Sequence, residues 1–130
     1  MSTPEQVIQQ RLLLRFGALP DLRIWRSNVG VAWQPVTPQA RRALTDLRQR
    51  MGGGFRPVTY GVEGQTDISG ILAPTGRAVG IEVKAADGRT SPAQDRWREM
   101  FVRQGGIYVL AKGATAEESV AQALDEARRG

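Results

Sequence analysis

Asp67, Glu82 and Lys84 are the side chains of this sequence best suited to chemistry. Glu82 and Lys84 lie in Gly80-Ile81-Glu82-Val83-Lys84, a short apolar run that reads as a buried strand. Strand residues two apart project to the same face, so a carboxylate and an ammonium emerge side by side. Asp67 lies in Gly64-Gln65-Thr66-Asp67-Ile68-Ser69-Gly70, at the mouth of the preceding strand. Two carboxylates and a lysine converging on one point make a poor hydrophobic core and a good seat for a hard divalent cation. With Asp67 and Glu82 as direct ligands and the backbone carbonyl of Val83 as a third, such a cation suits phosphodiester hydrolysis. Lys84 would then orient the attacking water or stabilise charge on the phosphoryl group. Taken alone, Glu82-Val83-Lys84 reads first as a surface ion pair on an edge strand, which contributes about 0–1 kcal/mol. The apolar strand around it, Asp67 across a short hairpin and a following helix that bears Gln94 favour the site.

Composition narrows the chemistry further. The chain has 130 residues, 41% hydrophobic and 24% charged, which suits one domain with a single core spanning 1–130. It contains no cysteine and no histidine, so disulfides, thiolate zinc sites, imidazole ligands and Ser-His or Cys-His nucleophiles are excluded. A metal must be held by oxygen, which favours Mg2+ or Mn2+. No stretch approaches the roughly 20 apolar residues of a membrane span, and the start does not read as a signal peptide, so a cytoplasmic location and no membrane partner are expected. The net charge of +5 is unevenly spread. Residues 1–60 hold nine arginines against three acidic residues, whereas 61–130 hold nine basic and ten acidic residues. An arginine-rich half points to a polyanion such as nucleic acid, although genomic base composition accounts for arginine richness equally well.

The elements that must position these groups are legible in outline. Thr3-Pro4-Glu5-Gln6 forms a capping box with proline in the first turn, opening a helix to about Arg15 with Ile8, Leu12 and Phe16 inward. Leu22 to Arg26 alternates as a strand, and Val31-Ala32-Trp33 is a candidate return strand. Thr37-Pro38 opens a second helix, with Ala40, Leu44 and Leu47 inward and Arg41, Arg42 and Arg48 outward. Gly52-Gly53-Gly54 ends it as a loop, and Val58-Thr59-Tyr60 is weakly extended. A hairpin follows: Asp67 to Leu72, a Pro74-Thr75-Gly76 turn, then Ala78 to Ala85. Ser91-Pro92-Ala93-Gln94 is a second capping box, opening a helix with Ala93, Trp97, Met100 and Phe101 on one side. Ile107 to Ala111 is a strand, and Thr115 to Glu118 caps a last helix with Val120, Leu124 and Ala127 inward. A helix between the Glu82 and Ile107 strands makes a crossover, which predicts that those strands are parallel neighbours in an α/β sheet with helices on both faces.

With these pieces in order, residues 61–113 resemble the virus-type replication-repair nuclease domain (VRR-NUC), a branch of the PD-(D/E)XK nuclease superfamily. The likeness rests on Gly64-Gln65-Thr66-Asp67-Ile68-Ser69-Gly70, Gly80-Ile81-Glu82-Val83-Lys84 and Gly88-Arg89-Thr90-Ser91-Pro92-Ala93-Gln94. An aromatic-bearing helix, Gly105-Gly106 and an apolar strand follow in the same order. Upstream, Glu5 and Trp25-Arg26-Ser27-Asn28-Val29-Gly30 extend the likeness to nearly the whole chain.

The resemblance implies a restriction-endonuclease-like central mixed sheet and a Mg2+- or Mn2+-dependent endodeoxyribonuclease. Asp67 and Glu82 would bind metal, Lys84 would be the catalytic lysine, Gln94 an accessory active-site residue and Glu5 a further acid reaching the metal. Gln94 reads equally as closing its capping box, and Glu5 as a first-turn acid favourable to the helix dipole. Arg26, Asn28 and Arg89 fall in matching segments and would contact nucleic acid. The late strand departs from the family's Val-Arg-Arg-like ending by reading Val109-Leu110-Ala111-Lys112, which leaves Lys112 as a partial substitute for phosphate contact. Short stand-alone members resemble phage-encoded structure-specific DNA endonucleases, with a link to DNA repair, which implies branched DNA such as four-way junctions and a homodimer. Residues 37–54 are the most individual segment, where the Arg41, Arg42 and Arg48 side would contact DNA, the Ala40, Leu44 and Leu47 side would meet a second subunit, or the helix is merely structural. A non-catalytic nucleic-acid-binding module and a restriction-type endonuclease on duplex DNA are the alternatives.

Overall fold

Every second residue of four short strands is apolar, and this parity decides where the core lies. The computed structural model describes residues 2–27, 34–56 and 61–130. Its elements are α1 (Pro4–Phe16), β1 (Leu22–Arg26), α2 (Pro38–Arg50), β2 (Ile68–Leu72), β3 (Arg77–Lys84), α3 (Pro92–Arg103), β4 (Ile107–Lys112) and α4 (Ala116–Arg129). The expected strand at Val31-Ala32-Trp33, the extended Val58-Thr59-Tyr60 and the candidate DNA contact Asn28 lie outside the described residues.

The fold is α/β, with one four-stranded mixed sheet in the order β1-β2-β3-β4. The first two pairings are antiparallel and β3–β4 is parallel, as the α3 crossover requires. Leu22 and Ile24, Ile68 and Leu72, Val79, Ile81 and Val83, and Ile107, Val109 and Ala111 all point to one face. There they meet Leu12 and Phe16 of α1 and Val120 and Leu124 of α4 in a single buried cluster. Burying each large aliphatic side chain contributes roughly 1.5–3 kcal/mol, so this face supplies most of the driving force. The opposite face carries Gly80, Glu82 and Lys84 of β3 and is covered by α3. A Cβ at Gly80 would sit 3.0 Å from Thr66 Oγ1 and 3.2 Å from Phe101 Cε1, so the glycine lets α3 close on the strand.

Both expected capping boxes form. Thr3 Oγ1 accepts from Gln6 N and Thr3 N donates to Gln6 Oε1. Ser91 and Gln94 repeat the exchange at α3. The cap expected at Thr115 does not form: its hydroxyl donates instead to the Lys112 carbonyl, because a 3-10 turn over Gly113–Thr115 precedes α4. Gly52-Gly53-Gly54, expected as a loop, is likewise a single 3-10 turn.

The chain divides into two compact units, one of residues 1–28 with 61–130 and the other of residues 29–60. In the second unit, Thr37 caps α2 as expected, its hydroxyl accepting from Ala40 N. The expected inward packing of Ala40, Leu44 and Leu47 is not found: α2 has no buried residue, and Leu44 and Leu47 are 36% and 41% exposed. Helical spacing makes a helix amphipathic, but the partner that covers its stripe is a tertiary matter.

Candidate active site

The loop before β2 and the C-terminal half of β3 bring the acids together. Ile68 pairs with Ile81 in the antiparallel register, so the next pair outward is Asp67 and Glu82. Asp67 is held twice. Its carbonyl accepts from Ser27 N at 2.9 Å, which ties it to the end of β1, and its Oδ2 accepts from Val83 N at 2.9 Å. A hydrogen bond to an ionised carboxylate is worth about 1.5–3 kcal/mol net, enough to fix the side chain. In an extended strand the N–H and C=O of one residue point to the same side, so the Val83 carbonyl also faces Asp67. Gly64, at φ +82°, turns the loop so closely over Ala93 that a Cβ would collide with the Ala93 carbonyl. The Asp67 loop and the start of α3 are thereby seated against one another.

Glu82 is only 2% exposed. Its Oε1 accepts from Gln94 Nε2 at 3.0 Å and lies 3.7 Å from Lys84 Nζ, while its Oε2 has no partner among the described residues. Burial pushes the Glu82 carboxyl up to about 8, and Asp67 adds to this as a like charge and as a partner for the protonated form. Lys84 acts the other way, favouring the ionised form, and Glu5 adds a smaller like-charge contribution. Lys84 is itself largely buried, with its side chain 15% exposed.

Gln94 performs both roles open to it from the sequence. Its Oε1 closes the capping box by accepting from Ser91 N, and its Nε2 donates to Glu82. One side-chain amide thus couples the start of α3 to the buried acid. Lys112 lies directly across the parallel register from Lys84, so the only two lysines of the chain are neighbours on one face.

Other expected residues are placed less centrally. Glu5 is half-buried in the first turn of α1, but among the described residues no three acidic, histidine or cysteine side chains gather into a ligand set. Arg26 shares the register of Ile68 and Ile81, which puts it on the sheet face opposite Glu82. Arg89 is exposed in the segment between β3 and α3, and Arg41 and Arg42 are exposed on α2 in the second unit.

The structure also adds residues that sequence reasoning passed over. Ser27 and Ser69 share a hydrogen bond between their hydroxyls at 2.6 Å, locking β1 to β2 beside Asp67. Tyr108 pairs with Gly80 on the α3 face, and its phenol is pushed up to about 12 by burial and by the charge of Glu82. It therefore stays protonated at neutral pH, with the Arg98 guanidinium 5.8 Å from its ring centroid. Strand parity from Glu82 and Asp67 was the signal that could have found both.

The donor set fits a hard cation. Asp67, Glu82 and the Val83 carbonyl all offer oxygen donors, and a buried carboxylate oxygen without a hydrogen-bond partner among the described residues is an incomplete arrangement that a cation would complete. No family model matches the chain, and no curated protein or solved structure matches it.

Proposed function

We propose that this chain is a metal-dependent DNA endonuclease that hydrolyses phosphodiester bonds. One observation carries the reading: Asp67 meets buried Glu82 across the β2–β3 register, one Glu82 oxygen lacks a partner among the described residues, and Lys84 stands 3.7 Å from the other. Burying two like charges together costs stability unless a cation or proton is shared, so the arrangement is better suited to chemistry than to packing. Mg2+ or Mn2+ would be held by Asp67, Glu82 and the Val83 carbonyl, and when bound it supplies charge neutralisation at the scissile phosphate. The chain's own groups do the rest. Gln94 fixes the Glu82 carboxylate, Val83 N–H fixes Asp67, and the Lys84 ammonium would donate a hydrogen bond to the water or phosphoryl oxygen beside them. Lys112 adds a second positive charge on the same face for the substrate backbone.

The excess of arginine supports a nucleic-acid substrate, and the family resemblance supports DNA, specifically branched forms such as four-way junctions cut by a homodimer. Cleavage of branched and linear DNA with Mg2+ tests the reading. Lys84→Ala and Asp67→Asn should each lower the rate about 100- to 1,000-fold, a loss typical of one transition-state contact. Equal activity in the variants would defeat the assignment. Asp67→Asn is informative because asparagine can still accept from Val83 N while losing its charge.

A second reading is a non-catalytic nucleic-acid-binding module. The specific observation in its favour is that Lys84 and Gln94 both already engage Glu82 Oε1. Thermal melting separates the two: a working site raises the melting temperature with Mg2+ or Mn2+, and a silent one does not.

A further inference from the structure

Three facts place the side chain of Trp25 beside the acids. Trp25 pairs with Ser69, and Ser69 pairs with Gly80, so these residues share one row and one face of the sheet. Ser27, two residues along β1, bonds Ser69 through its hydroxyl and Asp67 through its backbone N–H. Asp67 and Ser69 are also two apart. Trp25, Ser27, Ser69 and Asp67 therefore face the same way, and Glu82 and Gly80 face with them.

The covering of this face is uneven. α3 closes over β3, with Phe101 against Gly80. Over β1 and β2 the same face leaves Trp25 41% and Ile71 47% exposed, with Arg23 exposed beside them. Arg23 pairs with Ile71, one row farther from the acids than Trp25. The result is a shelf with an indole, an aliphatic surface and a guanidinium, continuous with the carboxylate site. Trp25 and Ser27 are separated by two strand residues, roughly 6.8 Å, a distance one nucleotide of an extended single strand can span.

Resting on the nuclease reading, we propose that Trp25 is a stacking platform for an unpaired base of the substrate, one nucleotide from the phosphate presented to Asp67 and Glu82. The occupant is a nucleic-acid strand, for two reasons. The indole offers a π-face that any base can stack on, and Arg23 offers a cation to the adjoining phosphate. In an intact duplex each base face is already stacked on its neighbours, so only unpaired or terminal nucleotides can use the indole. The enzyme thereby acts where a base lies free of a stacking neighbour beside the cleavage point, as at an overhang or an opened branch point. Trp25 is a specificity-determining residue and takes no part in the bond-breaking step.

The test is the affinity of the whole protein, in EDTA so that nothing is cut, for a fluorescein-labelled duplex with a single-stranded overhang and for a blunt duplex of the same paired sequence. Trp25→Ala should weaken overhang binding about 5- to 100-fold and leave the blunt duplex unchanged, with Trp25→Phe recovering most of the loss. The salt dependence of binding should not change, since no phosphate contact is removed. Thermal melting of each variant verifies its fold. Unchanged overhang affinity, an equal loss on both DNAs, or no binding by the wild type would overturn the proposal. A change in sedimentation behaviour without a change in DNA affinity would overturn it as well, marking the shelf as a contact between copies of the chain. Mg2+-dependent cleavage by Lys84→Ala is read on a parallel preparation. A Trp25 effect on overhang binding with no Lys84 dependence of cleavage sinks the nuclease reading alone, and the opposite pattern sinks the stacking platform alone.

Discussion

The two faces of β3 are built from the same strand by opposite rules. Val79, Ile81 and Val83 point into a buried apolar cluster closed by α1 and α4. Gly80, Glu82 and Lys84 point the other way, where a buried acid is crowded by a second acid and one of its oxygens has no partner among the described residues. The first face stabilises the fold, and the second draws on that stability to hold charges where water cannot relax them. The comparison teaches that the acids are tolerated because the opposite face is good enough to pin the strand.

The sharpest way to break this contrast is to damage the stabilising face. Ile81→Ala should cost about 2–5 kcal/mol in denaturant unfolding, because Ile81 is fully buried and its neighbours cannot all collapse into the space. Such a variant should lose cleavage only in proportion to the fraction unfolded.

Neutralising the other face should do the reverse. Because its carboxyl is raised to about 8, Glu82 must take up a proton on folding at neutral pH; Glu82→Gln removes that cost and keeps the shape, so in metal-free buffer it should stabilise the protein by about 1–3 kcal/mol in the same unfolding assay. It should also abolish Mg2+-dependent cleavage and the rise in melting temperature with the metal. A destabilised Glu82→Gln would show that the carboxylate is structural.

Gln94 joins the two kinds of role, and its loss should be intermediate. Gln94→Ala opens the α3 capping box and frees Glu82 Oε1, and should cost about 0.5–2 kcal/mol of stability by thermal melting. Its cleavage rate should fall by more than the unfolded fraction explains, whereas Gln6→Ala, which opens only the α1 box, should lose stability alone.

The smallest effect belongs to an exposed pair far from the acids in register. Arg128 contacts both oxygens of Asp21, at 2.7 and 3.0 Å, and lowers the Asp21 carboxyl below its ordinary 3.8. A carboxyl lowered in the folded state adds stability that is present above 3.8 and fades as pH falls through the lower folded value. A pH series of melting temperatures should show this acid limb shrink in Asp21→Asn, with no change near pH 7 beyond the small loss of an exposed ion pair.

Local signals carried much of this molecule. The capping boxes at Thr3 and Ser91, the hairpin around Gly76 and the parallel β3–β4 pair were all legible, because each depends on a few adjacent residues or on chain connectivity. Thr115 holds the N-cap position of α4 as its residue type suggests, but the 3-10 turn before it engages its hydroxyl with the Lys112 carbonyl, so no side-chain cap bond forms. The apolar stripe of α2 was read as inward because periodicity reports amphipathicity without naming what covers it.

By itself the sequence determined that Glu82 and Lys84 share a face, because the period of a strand is two whatever surrounds it. It also determined that any metal here is held by oxygen, since neither histidine nor cysteine is present. Only the tertiary structure decided that Asp67 stands opposite Glu82, that Gln94 reaches back to it from α3, that Arg26 turns away and that Trp25 lies on the same row as Gly80. Those relations are set by strand register and helix packing. Both depend on how distant segments pair, and no short window of residues encodes that.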